Sequence, residues 1–193
     1  VAGEVMPLNV GESGGMICQK GAFLCAEPTV NLNVSLTKKF SSGLFGGEGF
    51  ILEEISGKGM AFLEIDGDKV IKDLAPGEVL KVDTGNVVAF QKGMAYEIEM
   101  VKGLKNIFLG GEGLFLTKLT GPGRVILQTQ NFAEFAGRIA KMIPNELNIT
   151  IDRALQINPE LRKLYETDGQ VKELIDMSKR LEGLPRHTSM HAA

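Results

Sequence analysis

The chain of 193 residues is 44% hydrophobic and 23% charged, with 21 Lys+Arg against 24 Asp+Glu. That is enough for one sizeable core or a domain with an appendage, and no apolar run approaches the roughly 18 residues of a membrane-spanning helix. A net charge of −3 lacks the basic footprint of a nucleic-acid-binding surface, and two cysteines cannot frame a disulfide scaffold, which fits a reducing, cytoplasmic setting. His187 and His191 are the only histidines, so His-based acid–base or metal chemistry is excluded from almost the whole chain.

Composition changes near residue 137. All but two of the 24 glycines and all ten phenylalanines lie at or before Gly137. Acidic side chains outnumber basic ones up to that point, whereas over 138–193 the balance tips to a slight basic excess, rich in arginine. The shift divides the chain into a β-domain over residues 1–130 and a helical tail over 131–193.

The first segment reads as short strands. Val30, Leu32 and Val34 alternate with Asn31, Asn33 and Ser35, which predicts a strand with one buried face. Residues 50–55 predict a strand left through Gly57-Lys58-Gly59. Asp66-Gly67, between 62–65 and 70–71, has the form of a two-residue hairpin turn. A turn over 74–78 precedes a strand at 79–82. Tyr96, Ile98 and Met100 repeat the alternation, and 114–119 predict a strand left through Gly121-Pro122-Gly123. No helical period is visible before Asn131.

The chain also matches itself at one fixed offset, the one that carries Gly46 onto Gly110. Gly46-Gly47-Glu48-Gly49-Phe50-Ile51-Leu52 recurs as Gly110-Gly111-Glu112-Gly113-Leu114-Phe115-Leu116, and Ile55-Ser56-Gly57-Lys58-Gly59 as Leu119-Thr120-Gly121-Pro122-Gly123. The reading is a mainly β fold, a duplicated sandwich or closed barrel with repeats over 1–64 and 65–128.

Candidate site residues are few. Gly46, Gly47, Gly49, Gly110, Gly111 and Gly113 are read as structural turns, because no Lys-Ser/Thr pair follows them and no helix opens there. Glu48 and Glu112 are candidates for an oligomer contact, with cation binding as the alternative. Glu53, Glu54, Glu64, Asp66 and Asp68 read as solvated carboxylates. Cys18 and Cys25 read as small core residues, and Phe40, Phe45 and Phe108 as loop anchors. His187 and His191 have i, i+4 spacing but no third ligand. No catalytic, cofactor or metal residue is expected.

Several motifs together carry a resemblance. They are Gln19-Lys20-Gly21-Ala22-Phe23-Leu24, Gly43-Leu44-Phe45-Gly46-Gly47-Glu48-Gly49-Phe50, Val82-Asp83-Thr84-Gly85 with Val88-Ala89-Phe90, Gly103-Leu104-Lys105, Gly110-Gly111-Glu112-Gly113, and Gly121-Pro122-Gly123 through Leu127-Gln128-Thr129. Over residues 7–135 the chain resembles the altered inheritance of mitochondria protein 24 family. The resemblance implies a β-sandwich of the kind seen in the tryptophan RNA-binding attenuation protein, a homo-oligomer that is trimeric, and no catalytic residues to carry over. It also implies a further stretch ahead of Val1.

The tail reads as helices. Phe132, Phe135, Ala136, Ile139 and Ile143 form an apolar stripe that stops before Pro144. Thr150, Asn158 before Pro159-Glu160, and Asp168 are N-cap residues for three more helices, the last ended by Gly183 and Pro185. Their apolar faces look too few for a core of their own. Ile143-Pro144-Asn145-Glu146-Leu147-Asn148-Ile149-Thr150-Ile151-Asp152, Pro159-Glu160-Leu161, Tyr165-Glu166 and the run from Leu181 to Ala193 resemble the thumb and returning palm strand of the bacterial DNA polymerase III alpha subunit. That family's metal-binding aspartates lie outside the stretch. Two resemblances meeting inside one helix lead to the expectation of a chimera. The functional expectation is a non-enzymatic, self-associating β-scaffold; the alternative is a fragment of a DNA replication polymerase.

Overall fold

The computed structural model describes residues 3–38, 50–100 and 115–183. Residues Gly3–Phe132 form one compact unit, and the described residues from Ala133 onward form a second.

Twelve strands make up the first unit among the described residues: β1 (Gly3–Asn9), β2 (Met16–Gln19), β3 (Phe23–Ala26), β4 (Val30–Lys38), β5 (Phe50–Gly57), β6 (Met60–Asp66), β7 (Lys69–Leu74), β8 (Val79–Asp83), β9 (Val87–Gln91), β10 (Ala95–Met100), β11 (Phe115–Thr120) and β12 (Gly123–Gln128). They form three antiparallel sheets, in the orders β1-β6-β3, β10-β11-β8 and β4-β5-β2-β9-β12-β7. The fold is mainly β with a few helices.

The six-stranded sheet is covered on both faces. Met16 and Cys18 of β2 pack with Leu8, Ala61, Leu63 and Ile65 of the β1-β6-β3 sheet. Ile17, between them, joins Leu119 of β11 and Leu80 and Val82 of β8. The same parity governs β12, where Ile126 faces one neighbouring sheet and Val125 the other. A strand buried on both faces loses the alternation of a half-exposed one, so β2 and β9 read as continuous apolar runs, Met16-Ile17-Cys18 and Val87-Val88-Ala89-Phe90.

Glycine corners carry the chain between sheets. Gly57-Lys58-Gly59 takes it from β5 to β6, and Gly121-Pro122-Gly123 from β11 to β12. Gly59 sits at φ +134°, and a Cβ there would lie 2.6 Å from Glu27 Oε2, the oxygen that accepts from Met60 N at 2.8 Å. Only glycine fits both the dihedral and the approach.

Two strand expectations need correction. Asp66-Gly67 is a turn, with Gly67 at φ +72°, but it does not close a hairpin, because β6 pairs with β1 and β3 while β7 pairs with β12. The corner is held instead by Thr129 N donating to Asp68 O at 3.0 Å and Gln130 N to Asp66 O at 3.2 Å. Turn chemistry set the bend; burial of Ile65 against the six-stranded sheet set the pairing. In β4, Leu32 is 41% and Val34 67% exposed, so the expected buried face is half open, as an edge strand allows. One short helix lies where no helical period is visible in the sequence: α1 (Val10–Ser13) buries Val10 and is capped by Asn9, with Gly14 left-handed at its end.

The second unit holds α2 (Phe132–Lys141) from its second residue onward, with α3 (Ile151–Ile157), α4 (Pro159–Thr167) and α5 (Gly169–Leu181). The three cap residues do what their chemistry allows. Thr150 Oγ1 accepts from Arg153 N, Asn158 Oδ1 from Glu160 N and Leu161 N, and Asp168 Oδ1 from Gln170 N and Val171 N. Contrary to expectation, these helices share a core. Ile139, Ala154, Leu155, Leu161, Val171 and Ile175 are buried together, with Phe135, Ile143, Leu164 and Leu174 packed around them. Short helices meeting at apolar stripes bury more than any one stripe promises.

Candidate functional site

The glycines and glutamates singled out by the sequence, Gly46, Gly47, Glu48 and Gly49 with Gly110, Gly111, Glu112 and Gly113, lie outside the described residues, as do Phe40, Phe45, Phe108, His187 and His191. The strands that carry them are described. β4 and β5 pair as far as Lys38 opposite Phe50, and β10 and β11 as far as Met100 opposite Phe115.

A polar seam runs beside the second of these hairpins. β8 ends in a 3-10 turn, Thr84–Asn86, whose first residue is buried. Thr84 Oγ1 donates to Phe115 O at 2.9 Å and accepts from Thr117 Oγ1 at 3.1 Å. The Thr84 carbonyl accepts from Gln19 Nε2 at 2.5 Å, tying β2 to the same point. Asp83 Oδ1 takes Gly85 N at 2.9 Å, and Gln128 bridges Gly85 O and Asp66 N at 3.0 Å each. Asp66 Oδ2 accepts from Phe132 N at 2.8 Å, so this carboxylate is structural rather than simply solvated. Each hydroxyl of the threonine pair already gives its proton to a fixed acceptor. The seam anchors a hairpin base, and turning either hydroxyl into a nucleophile would require a base that takes that proton.

The two cysteines part company. Cys18 is buried between β5 and β9, and burial, reinforced by the Glu53 carboxylate, pushes its thiol up to about 12. Cys25 is exposed on β3, which corrects its reading as a core residue. Among the described residues no group of three or more His, Cys, Asp or Glu side chains is placed to hold a metal ion. No described helix is long and apolar enough to cross a membrane.

The outward faces of the two smaller sheets differ in chemistry. On β10-β11-β8, Glu97, Lys118 and Lys81 lie in one cross-strand row, with Glu99 beside them. Lys81 Nζ meets Glu99 Oε2 at 2.7 Å and Lys118 Nζ meets Glu97 Oε2 at 3.3 Å. The Lys81 ammonium holds the Glu99 carboxyl below its ordinary value, first through that hydrogen bond. On β1-β6-β3 the outward positions include Val5, Pro7, Met60, Phe62 and Cys25, with Leu24 at the register shift, and the exposed Glu64 lies opposite Val5. Val5 is 54% and Leu24 50% exposed. This face is the less charged of the two, with exposed apolar side chains at both of its edge strands. Sequence reading missed both features. The alternation of Val5 and Pro7 with buried neighbours, and the Asx signal at Asp83, were the available clues.

Comparison with known proteins divides the chain in the same region. The family model for the bacterial DNA polymerase III alpha NTPase domain matches residues 123–193. The DNA polymerase III subunit alpha of Chlamydia trachomatis is 56% identical over 55 residues, which is 28% of this chain and 4% of that protein. The Escherichia coli K12 subunit is 40% identical over 70 residues, 36% of this chain and 6% of that protein. The chain therefore spans only a few hundredths of the length of these curated relatives. A crystal structure of a Streptococcus pyogenes protein superimposes with a TM-score of 0.56 at 23% identity, over 72% of this chain and 59% of that one, which shows a shared fold. The family model described as mitochondrial biogenesis AIM24 matches residues 1–130, two thirds of the sequence, and the chain belongs to that family.

Proposed function

We propose that the chain is a non-enzymatic, self-associating β-scaffold, built from two copies of one six-strand sandwich unit like that of the tryptophan RNA-binding attenuation protein and assembled as a cytoplasmic homotrimer. Strand register carries the reading. β7 pairs Lys72 with Val125 of β12, and at the offset that carries Gly110 back onto Gly46, β1 pairs Leu8 with Ala61 of β6. β8–β11 sets Leu80 against Leu119 where β2–β5 sets Met16 against Ile55. β10–β11 sets Tyr96 against Leu119 where β4–β5 sets Leu32 against Ile55. β9–β12 sets Ala89 against Ile126 where β3–β6 sets Cys25 against Phe62, and the register shift that follows in each ladder falls at the same point. Four ladders in one register support repeats over 1–64 and 65–128 within a domain over 1–130. The committed hydroxyls and the protonated Cys18 thiol speak for support rather than chemistry. Light scattering of the full chain tests the reading: three chains are expected, and a single chain that binds a small molecule tightly would overturn it.

The second reading rests on the tail over 131–193, whose 56% identity to a replicative polymerase subunit favours a polymerase fragment. It requires DNA binding that weakens steeply with salt, measurable by fluorescence anisotropy on a labelled duplex. Sequencing source DNA across the codons for residues 131–141 separates a gene fusion, in which the join is present in frame, from a chimera, in which it is absent.

A further inference from the structure

Among the described residues the three sheets end in six edge strands: β1, β3, β4, β7, β8 and β10. Under the repeat, four of these are each other's counterparts, β1 with β7 and β4 with β10, and are edges in both halves. β3 and β8 are different. Their counterparts, β9 and β2, are paired to each other in the middle of the six-stranded sheet. The one ladder that joins the halves is therefore made once inside the chain, and the strands for a second copy of it stand unpaired on that side among the described residues.

Resting on the duplicated-scaffold reading, we infer that the edge of β8 in one copy pairs with the edge of β3 in a second copy, repeating the β2–β9 ladder between chains. The internal ladder dictates the register. Met16 opposes Gln91, Ile17 opposes Phe90 and Cys18 opposes Ala89. Replacing each residue by its counterpart in the other repeat sets Leu80 against Glu27, Lys81 against Ala26 and Val82 against Cys25 of the second copy.

Burial and composition fit that occupant. Leu24 is 50% exposed while its counterpart Val88 is 1% exposed, and the exposed Cys25 corresponds to the fully buried Ala89. Val88, Ala89 and Ile126 close the core on which the first half's sheet packs. Their counterparts Leu24, Cys25 and Phe62 lie on the outward side of β1-β6-β3. β3 itself is Phe-Leu-Cys-Ala, uncharged through Ala26, with Glu27 and Pro28 just past its end. The β7 edge carries Lys69 and Lys72, paired to Glu4 and Glu78, and the β10 edge carries Glu97 and Glu99, while β8 carries the single ammonium of Lys81, already paired to Glu99 within its own chain. A β8-to-β3 contact is head-to-tail, so it joins copies into a ring where the rotation closes, rather than into a symmetric dimer.

Two variants of the full chain test the interface. In Val82→Cys, diamide should oxidise the introduced thiol and Cys25 of the neighbouring copy to an interchain disulfide, taking up two electrons and two protons. Ladders of linked chains on a denaturing gel are expected, and Cys25→Ala in the same background should abolish them. Leu24→Glu, at a side chain half exposed within its own chain, should keep the circular dichroism spectrum and reduce the light-scattering mass to one chain. An oligomer that neither cross-links nor responds to Leu24→Glu overturns the interface and leaves the scaffold reading standing. A wild-type protein that is already a single chain removes both.

Discussion

Cys18 and Cys25 lie close in sequence and meet opposite surroundings. Cys18 is fully buried, with its thiol held protonated up to about 12, while Cys25 reaches solvent from β3. The thiolate is the species that attacks a thiol reagent, so Cys18, buried and held protonated, should be silent in the folded protein near neutral pH. The Cys25→Ala variant is the clean case: Ellman's reagent should find no reactive thiol before denaturant is added and one afterwards. Reaction in the native protein would place Cys18 outside the core. At the same scale Asp73 accepts a two-pronged bond from Arg124, Nε to Oδ1 at 2.7 Å and Nη2 to Oδ2 at 2.8 Å. That hydrogen bonding holds the Asp73 carboxyl below its ordinary value. A lowered folded-state value stabilises above the unfolded value, about 3.9, and the gain is lost as pH falls through the folded one. Thermal melts from pH 7 to 3 should fall less steeply for Asp73→Asn than for wild type. The pair is exposed, so the difference should be small, and an unchanged slope would mean solvent has screened it away.

Among the elements, the helices are the part whose ends could be read directly. Asn158 accepts from the amides of Glu160 and Leu161 and also donates from Nδ2 to Met142 O at 2.8 Å, linking the start of α4 to the end of α2. Replacing it with alanine removes a cap worth about 1 kcal/mol and orphans a carbonyl, so unfolding of the helical unit should weaken by about 1–2 kcal/mol. Denaturant titration followed at 222 nm measures it, and a loss below a few tenths would show that water replaces the cap at no cost. Capping is local chemistry, which is why Thr150, Asn158 and Asp168 were legible without a structure. The strands read over 62–65 and 79–82 were legible for the same reason, and the structure extends them to Met60–Asp66 and Val79–Asp83. What was not legible depends on partners distant in sequence. Alternation in β4 marks two faces, but whether Val34 is covered is decided by what packs above an edge strand. Asp66-Gly67 marks a bend, but the partner of β7 is β12, far onward in the chain. The seam at Thr84 needs Gln19, Phe115 and Thr117 to converge, which no local pattern announces. As for the candidate site itself, the sequence pointed to glycines and glutamates outside the described residues, while the edge strands β3 and β8 went unread.

At the scale of the molecule, the two units have separate cores. Leu119 is fully buried among β-strand side chains, and Leu161 is fully buried among helices α2 to α5. Deleting a buried leucine side chain costs about 2–5 kcal/mol, set by how far the site collapses. If each core holds only its own unit, the cost must appear in that unit alone. Leu161→Ala should lower the stability of the helical unit by an amount in this range and leave the chemical shifts of β-strand methyls such as Val88 and Ile126 unchanged. Leu119→Ala should do the reverse, moving the β resonances and sparing Val171 and Ile175. Two-dimensional methyl spectra recorded through a denaturant series read both outcomes in one experiment. Joint loss of all methyl signals at a single denaturant concentration, in both variants, would mean that the units unfold as one. The β-domain would then draw stability from the tail, and the segment similar to a polymerase subunit would belong to the β-domain's own folding unit.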